Sequence, residues 1–145
     1  MSVRAITLVG APILVSCVPF SGFVHDEVLD GPYRLVAVDT EEDMIVCLTF
    51  RGDTNSCIGD GLPEPAVFAA GANARHVVIA RHPRASLSRP DRAITEYYYV
   101  VRTPDEGERG LPAKNVKGPF DRQSFEEEKR KLNLPNFSRV FKDLK

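Results

Sequence analysis

Glu96-Tyr97-Tyr98-Tyr99-Val100-Val101 is the most strand-like run in the chain. Aromatic and β-branched side chains fit a pleated, half-buried surface, and five of these six residues are of those types. The run sits inside a longer strand candidate, Ile94 to Arg102. Successive side chains of a strand point to opposite faces, so one of the three rings takes one face and two take the other. Core packing accounts for at least one ring. An exposed pair of tyrosines would make a protein-contact anchor, so Tyr97, Tyr98 and Tyr99 are the candidate contact residues.

Working upstream, Arg75 to His82 predicts a strand centred on Val77, Val78 and Ile79. Ala66 to Asn73 predicts a short strand and a turn. Tyr33 to Asp39 and Met44 to Phe50 predict two more strands, joined as a hairpin by the polar turn Asp39-Thr40-Glu41-Glu42-Asp43. Glycines and prolines mark 59–65 as a loop, and Pro83 to Pro90 breaks the pattern. Thr103 to Asn115 is a loop rich in glycine, proline and charge.

Downstream the period changes to that of a helix. Asp121 predicts the N-cap, with Phe120 before it and Phe125 at the fourth helical position forming a hydrophobic staple. Glutamates 126–128 lie near the positive end of the helix dipole, and Lys129, Arg130 and Lys131 near the negative end. Pro135 is expected to end this helix, and Phe137 to Leu144 to add a turn or two more. The fold class is α+β: an antiparallel β-meander of four to six strands with a C-terminal helix, one domain over residues 31–145.

The N-terminus gives an address. Arg4 is followed by an apolar segment from Ala5 to Ser16, the layout of a secretory signal peptide. It ends in Leu14-Val15-Ser16-Cys17, which resembles the lipobox of bacterial lipoproteins: a branched residue three before the cysteine and a small one directly before it. The resemblance implies cleavage between Ser16 and Cys17 and lipidation of Cys17, with the membrane as a partner through that lipid. Each buried methylene is worth about 0.8 kcal/mol, so two or three acyl chains hold a domain durably. Residues 1–16 are then signal peptide and 17–30 lipidated cysteine and tether. Val18 after the cysteine implies the periplasmic face of the outer membrane, by the same resemblance. The competing expectation is a transmembrane anchor, against which Pro12 and Pro19 weigh.

Two further cysteines, Cys47 and Cys57, are the expected disulfide of an exported protein. Facing 47 with 57 puts 49 opposite 55 and centres the turn on Gly52, within bridging distance. Two free thiols are the alternative for a cytoplasmic chain. The formal net charge of −1 and the lack of any basic stripe argue against nucleic acid as a partner.

No metal and no cofactor is expected. His76 and His82 are six apart on one strand, ~20 Å at about 3.3 Å per residue, too far to share a zinc ion. Asp53 to Glu64 begins like a calcium loop, but Ile58 replaces the required glycine and Pro63 stands where a helix should start. Arg51-Gly52-Asp53 is explained by turn chemistry, and the carboxylates of 39–43 by a solvated hairpin tip. No catalytic residue is assigned, since no nucleophile elbow, phosphate loop or metalloprotease helix occurs.

A second resemblance covers the last third of the chain. The strand Tyr97 to Val101, a variable loop, a Gly118-Pro119-Phe120 turn and a charged helix bearing Phe125 and Leu132 are similar to a group of small bacterial lipoproteins. That likeness implies fold and location, and no activity. The expected function is therefore that of a non-enzymatic, lipid-anchored envelope protein acting through contacts with an unidentified periplasmic protein. The alternatives are an immunity protein or inhibitor of a toxin or hydrolase, and a hydrolase whose site would unite His76 with carboxylates.

Overall fold

The computed structural model of the chain describes residues 22–85, 89–110 and 113–145. Leu14, Ser16 and Cys17, the residues of the expected cleavage and lipidation, lie outside the described residues.

Among the described residues there are nine strands: β1 (His25–Asp30), β2 (Tyr33–Ala37), β3 (Ile45–Phe50), β4 (Asp53–Ile58), β5 (Val67–Ala72), β6 (His76–Arg81), β7 (Glu96–Val101), β8 (Val116–Phe120) and β9 (Arg139–Val140). Helices are α1 (Glu106–Arg109) and α2 (Arg122–Leu132). The strands form a four-stranded sheet in the order β1-β2-β3-β4 and a five-stranded sheet in the order β8-β7-β6-β5-β9. Every pairing is antiparallel. The α+β class with a meander and a C-terminal helix is the observed one.

The period-two pattern explains the layers. Tyr33, Leu35 and Ala37 of β2 and Val46 and Leu48 of β3 meet Val77 and Ile79 of β6 and Tyr98 and Val100 of β7 in one core between the sheets. Val78 and Tyr99, on the other face of the five-stranded sheet, pack with Phe125 and Leu134 in a second core. Strand β6 is thus covered on both faces, which is why it reads as an uninterrupted apolar run.

Helix α2 is capped as its sequence predicts: the Asp121 carboxylate accepts the Ser124 N–H at 2.7 Å. The staple partner Phe120 stacks on Tyr99, while Phe125 stacks on Tyr97. The helix ends at Asn133, in the left-handed conformation, before Pro135 is reached.

Several expectations are corrected. The tether over 17–30 is a strand from His25 onward, paired with β2 along its length, so the slack available to a tether is shorter. Gly118-Pro119-Phe120 is not a turn but the end of β8, an edge position where proline's missing N–H costs no ladder bond. Phe137 to Leu144 is not helical: Arg139–Val140 pairs with β5. The loop 103–115 contains a helical turn, α1, and a 3₁₀ turn over Ala113–Asn115. The strand count exceeds four to six because β1, β8 and β9 are edges, which carry weak sequence signals.

The Cys47–Cys57 bridge is present, with Cα atoms 5.3 Å apart. The register differs from the one expected. Phe50 faces Asp53, leaving Arg51-Gly52 as a two-residue turn with Gly52 at φ 85°, and an irregularity absorbs the shift before Leu48 faces Ile58.

Candidate functional site

A cleft of about 760 Å³ opens at one end of the two sheets. It is built by the β1–β2 turn (Gly31, Pro32), the β3–β4 turn (Arg51, Gly52), the β5–β6 turn (Ala74, Arg75) and the segment leading into α1. The inner faces of β6 and β7 lead into it, since Tyr98 and Val100 belong to the core and Arg102 follows at the same parity. The cleft is therefore the place where the inter-sheet core gives way to charged residues.

Arg102 organises it. Its Nε donates to Glu106 Oε1 at 2.8 Å, and its Nη1 donates to Asp30 Oδ2 at 2.5 Å and to the Asn73 carbonyl at 2.8 Å. The guanidinium carbon lies 5.3 Å from the centroid of the Tyr33 ring. One side chain thus ties together the β1–β2 turn, the β5–β6 turn, the end of β7 and α1. Gly31 is at positive φ, and a Cβ there would come within 2.8 Å of Arg102 Nη2.

Glu106 is buried, and its other oxygen is taken as well: Tyr33 Oη donates to Oε2 at 2.8 Å and the Thr103 N–H at 3.2 Å. Burial, then the hydrogen bond to Glu106, push the Tyr33 phenol far above its ordinary range. Hydrogen bonds to Glu106 and Asp30 raise Arg102 against the opposing effect of burial, the largest single influence on it. This is a set of mutually satisfied groups holding the cleft floor in one arrangement.

At the rim, Arg51 pairs with Glu108 at 2.9 Å, both well exposed. Arg75 is exposed and has no salt-bridge partner among the described residues. Phe50 and the prolines Pro32 and Pro104 supply apolar surface.

The residues expected to form sites are placed as follows. Tyr98 and Tyr99 are buried and Tyr97 is stacked on Phe125, so the expected exposed tyrosine pair is instead packing between the sheet and the two cores. Their hydroxyls still find partners, Tyr98 on Glu96 at 2.9 Å and Tyr99 on Glu128 at 3.2 Å. His82 is buried and stacked on Phe68, with Nδ1 donating to the Ile94 carbonyl at 2.7 Å. His76 is among the residues lining the cleft, as are Glu106 and Glu108, but its ring sits edge-on to Tyr99, 6.0 Å between centroids. Burial and then the Arg75 charge hold His76 below its ordinary value. Asp43, of the acidic hairpin tip, is engaged by Arg84 at 2.6 Å. Among the described residues no group of three or more His, Cys, Asp or Glu side chains is placed to hold a metal ion.

Tyr33, Arg75, Arg102 and Glu106 were not singled out from the sequence. Tyr33 and Glu106 are 73 positions apart, and no local pattern announces their hydrogen bond. The one available signal was that Arg75 and Arg102 each stand at the end of a predicted strand. No protein-family model, no curated protein and no solved structure matches the chain. Among the described residues no helix is long and apolar enough to cross a membrane.

Proposed function

We propose that this chain is a lipid-anchored domain of the bacterial cell envelope, held by Cys17 and acting by binding rather than by catalysis, with the loop-end cleft as its contact surface. The observation that carries this reading is the Cys47–Cys57 bridge, since persistent disulfides belong to oxidising compartments outside the cytoplasm. The lipobox-like Leu14-Val15-Ser16-Cys17 supplies the anchor. Val18 favours the periplasmic face of the outer membrane. Binding is favoured over chemistry because Glu106, the buried carboxylate of the cleft, has both oxygens engaged by Arg102, Tyr33 and Thr103.

The test is growth of a bacterial host expressing the full chain with radiolabelled palmitate. The expected result is label on the protein in the envelope fraction, abolished by Cys17→Ala. Equal labelling of the variant, or a mature protein whose N-terminus is not residue 17, overturns the anchor.

A further inference from the structure

The ladder that pairs His76 with Val101 continues one step further, where the Arg102 N–H donates to the Arg75 carbonyl at 2.9 Å. Arg75 and Arg102 therefore stand opposite each other just beyond the ends of β6 and β7, and both line the cleft. Like charges directly opposite across an antiparallel pair are destabilising. Conflicts of this kind are expected at functional or strained sites.

The two arginines are not equally compensated. Arg102 meets both Glu106 and Asp30, whereas Arg75 meets no carboxylate among the described residues. Hydrogen-bond accounting gives the same asymmetry. Arg102 spends Nε and Nη1 on Glu106, Asp30 and Asn73, and Nη2 makes no hydrogen bond among the described residues. Nor is Nη2 among the buried side-chain atoms left without a partner, so it reaches solvent. Donors are in surplus here. The acceptors Glu106 and Glu108 are already engaged by Arg102 and Arg51.

We infer that the cleft binds a short peptide through a carboxylate that bridges Arg75 and Arg102 Nη2, with an apolar side chain of the same peptide against Phe50 and Pro32. Guanidinium groups are suited to planar carboxylates because two parallel N–H bonds form at once. Arg102 is already fixed by three hydrogen bonds, so little side-chain entropy is lost when the anion arrives. The volume of about 760 Å³ lies within the about 300–1,000 Å³ range of sites for ligands of this size. This inference rests on the cleft being a binding surface and is independent of the lipid on Cys17.

The full chain, extracted in mild detergent and isotopically labelled, would be titrated with acetyl-Phe-Glu-Glu-amide, acetyl-Phe-Gln-Gln-amide and glutarate, following backbone amide resonances. The expected result is saturable shifts at Gly31, Arg75 and Arg102 with the glutamate peptide, and roughly tenfold weaker binding of the glutamine peptide. Arg75→Gln should weaken the glutamate peptide by a similar factor, and Arg75→Glu, which sets a like charge against the ligand, by more. Both remove a like-charge pair and are expected to melt no lower than the parent. Equal affinity for the two peptides, shifts confined to other residues, or unaltered affinity in both variants overturns the proposal. Glutarate binding as tightly as the peptide overturns its peptide part. Palmitate labelling reads the anchor alone, so the two readings fail separately.

Discussion

Arg102 is the residue on which the cleft end depends, because each of its contacts belongs to a different piece of chain. Removing it leaves Glu106 buried with only Tyr33 and Thr103 to hold its charge, and stranding one member of a buried ion pair is strongly destabilising. Arg102→Ala is expected to lower the free energy of unfolding by about 3–5 kcal/mol in urea titrations. Arg102→Lys should recover little of it, since an ammonium reproduces neither the fork nor the stacking over Tyr33. The buried phenols make a second prediction. Burial, helped by Glu106, Glu96 and Glu128 respectively, raises Tyr33, Tyr98 and Tyr99 above the ordinary 10.0. The native state then keeps protons that the unfolded chain releases. Below pH 10 the two states hold these protons alike and nothing is lost. Above it, stability falls by about 1.4 kcal/mol per pH unit for each proton so retained. Ultraviolet titration should show these three of the four tyrosines ionising late, and unfolding midpoints should drop steeply above pH 10. None of this was legible from composition, because Tyr33 and Glu106 become neighbours only once the sheets have formed.

Elements with strong local signals were readable and edges were not. The central strands β6 and β7 were placed to within two residues, as was the start of α2, because a dense β-branched or aromatic run and an N-cap are local facts. Strand β1 reads His-Asp-Glu-Val-Leu-Asp, which is solvated slack by composition, and becomes a strand only because β2 offers it a ladder. Strand β9 is two residues long and depends in the same way on β5. Here the sequence holds a clue at Gly71. The chain crosses β5 so closely that a Cβ on Gly71 would lie 2.0 Å from the Asn136 carbonyl oxygen. Backbone cannot move aside as a flexible side chain can. Gly71→Ala is therefore expected to displace the segment around Asn136 and cost about 3 kcal/mol, the upper part of the range for overpacking. Amide exchange checks it. Protection of the Ser138 and Phe141 N–H groups, bonded to Ala70 and Phe68 carbonyls, should fall before that of β6 and β7.

At the scale of the molecule, a helix covers the outer face of one sheet while the other sheet carries the bridge. Helix α2 gives the five-stranded sheet its second core, whereas the outer face of the four-stranded sheet holds Cys47 and Cys57 across β3 and β4. The division has a physical sense. Strand β4 is an edge strand whose sequence, Asp-Thr-Asn-Ser-Cys-Ile, supplies little apolar surface of its own. Its attachment relies on the ladder to β3 and on the covalent link. The loop closed by the bridge spans only ten positions, so on the chain-entropy model its contribution is somewhat below about 3 kcal/mol. Reduction should then lower the melting temperature without unfolding the chain at room temperature, because the inter-sheet core does not pass through the cysteines' outer face. The effect should also be local. The β3–β4 turn carries Arg51 and Gly52 into the cleft wall, so loosening the hairpin frees one side of it. Amide exchange in 51–58 is expected to rise sharply on reduction or in the Cys47→Ala/Cys57→Ala variant, with β6 and β7 unchanged. Uniform acceleration across both sheets would mean instead that the bridge supports the whole fold.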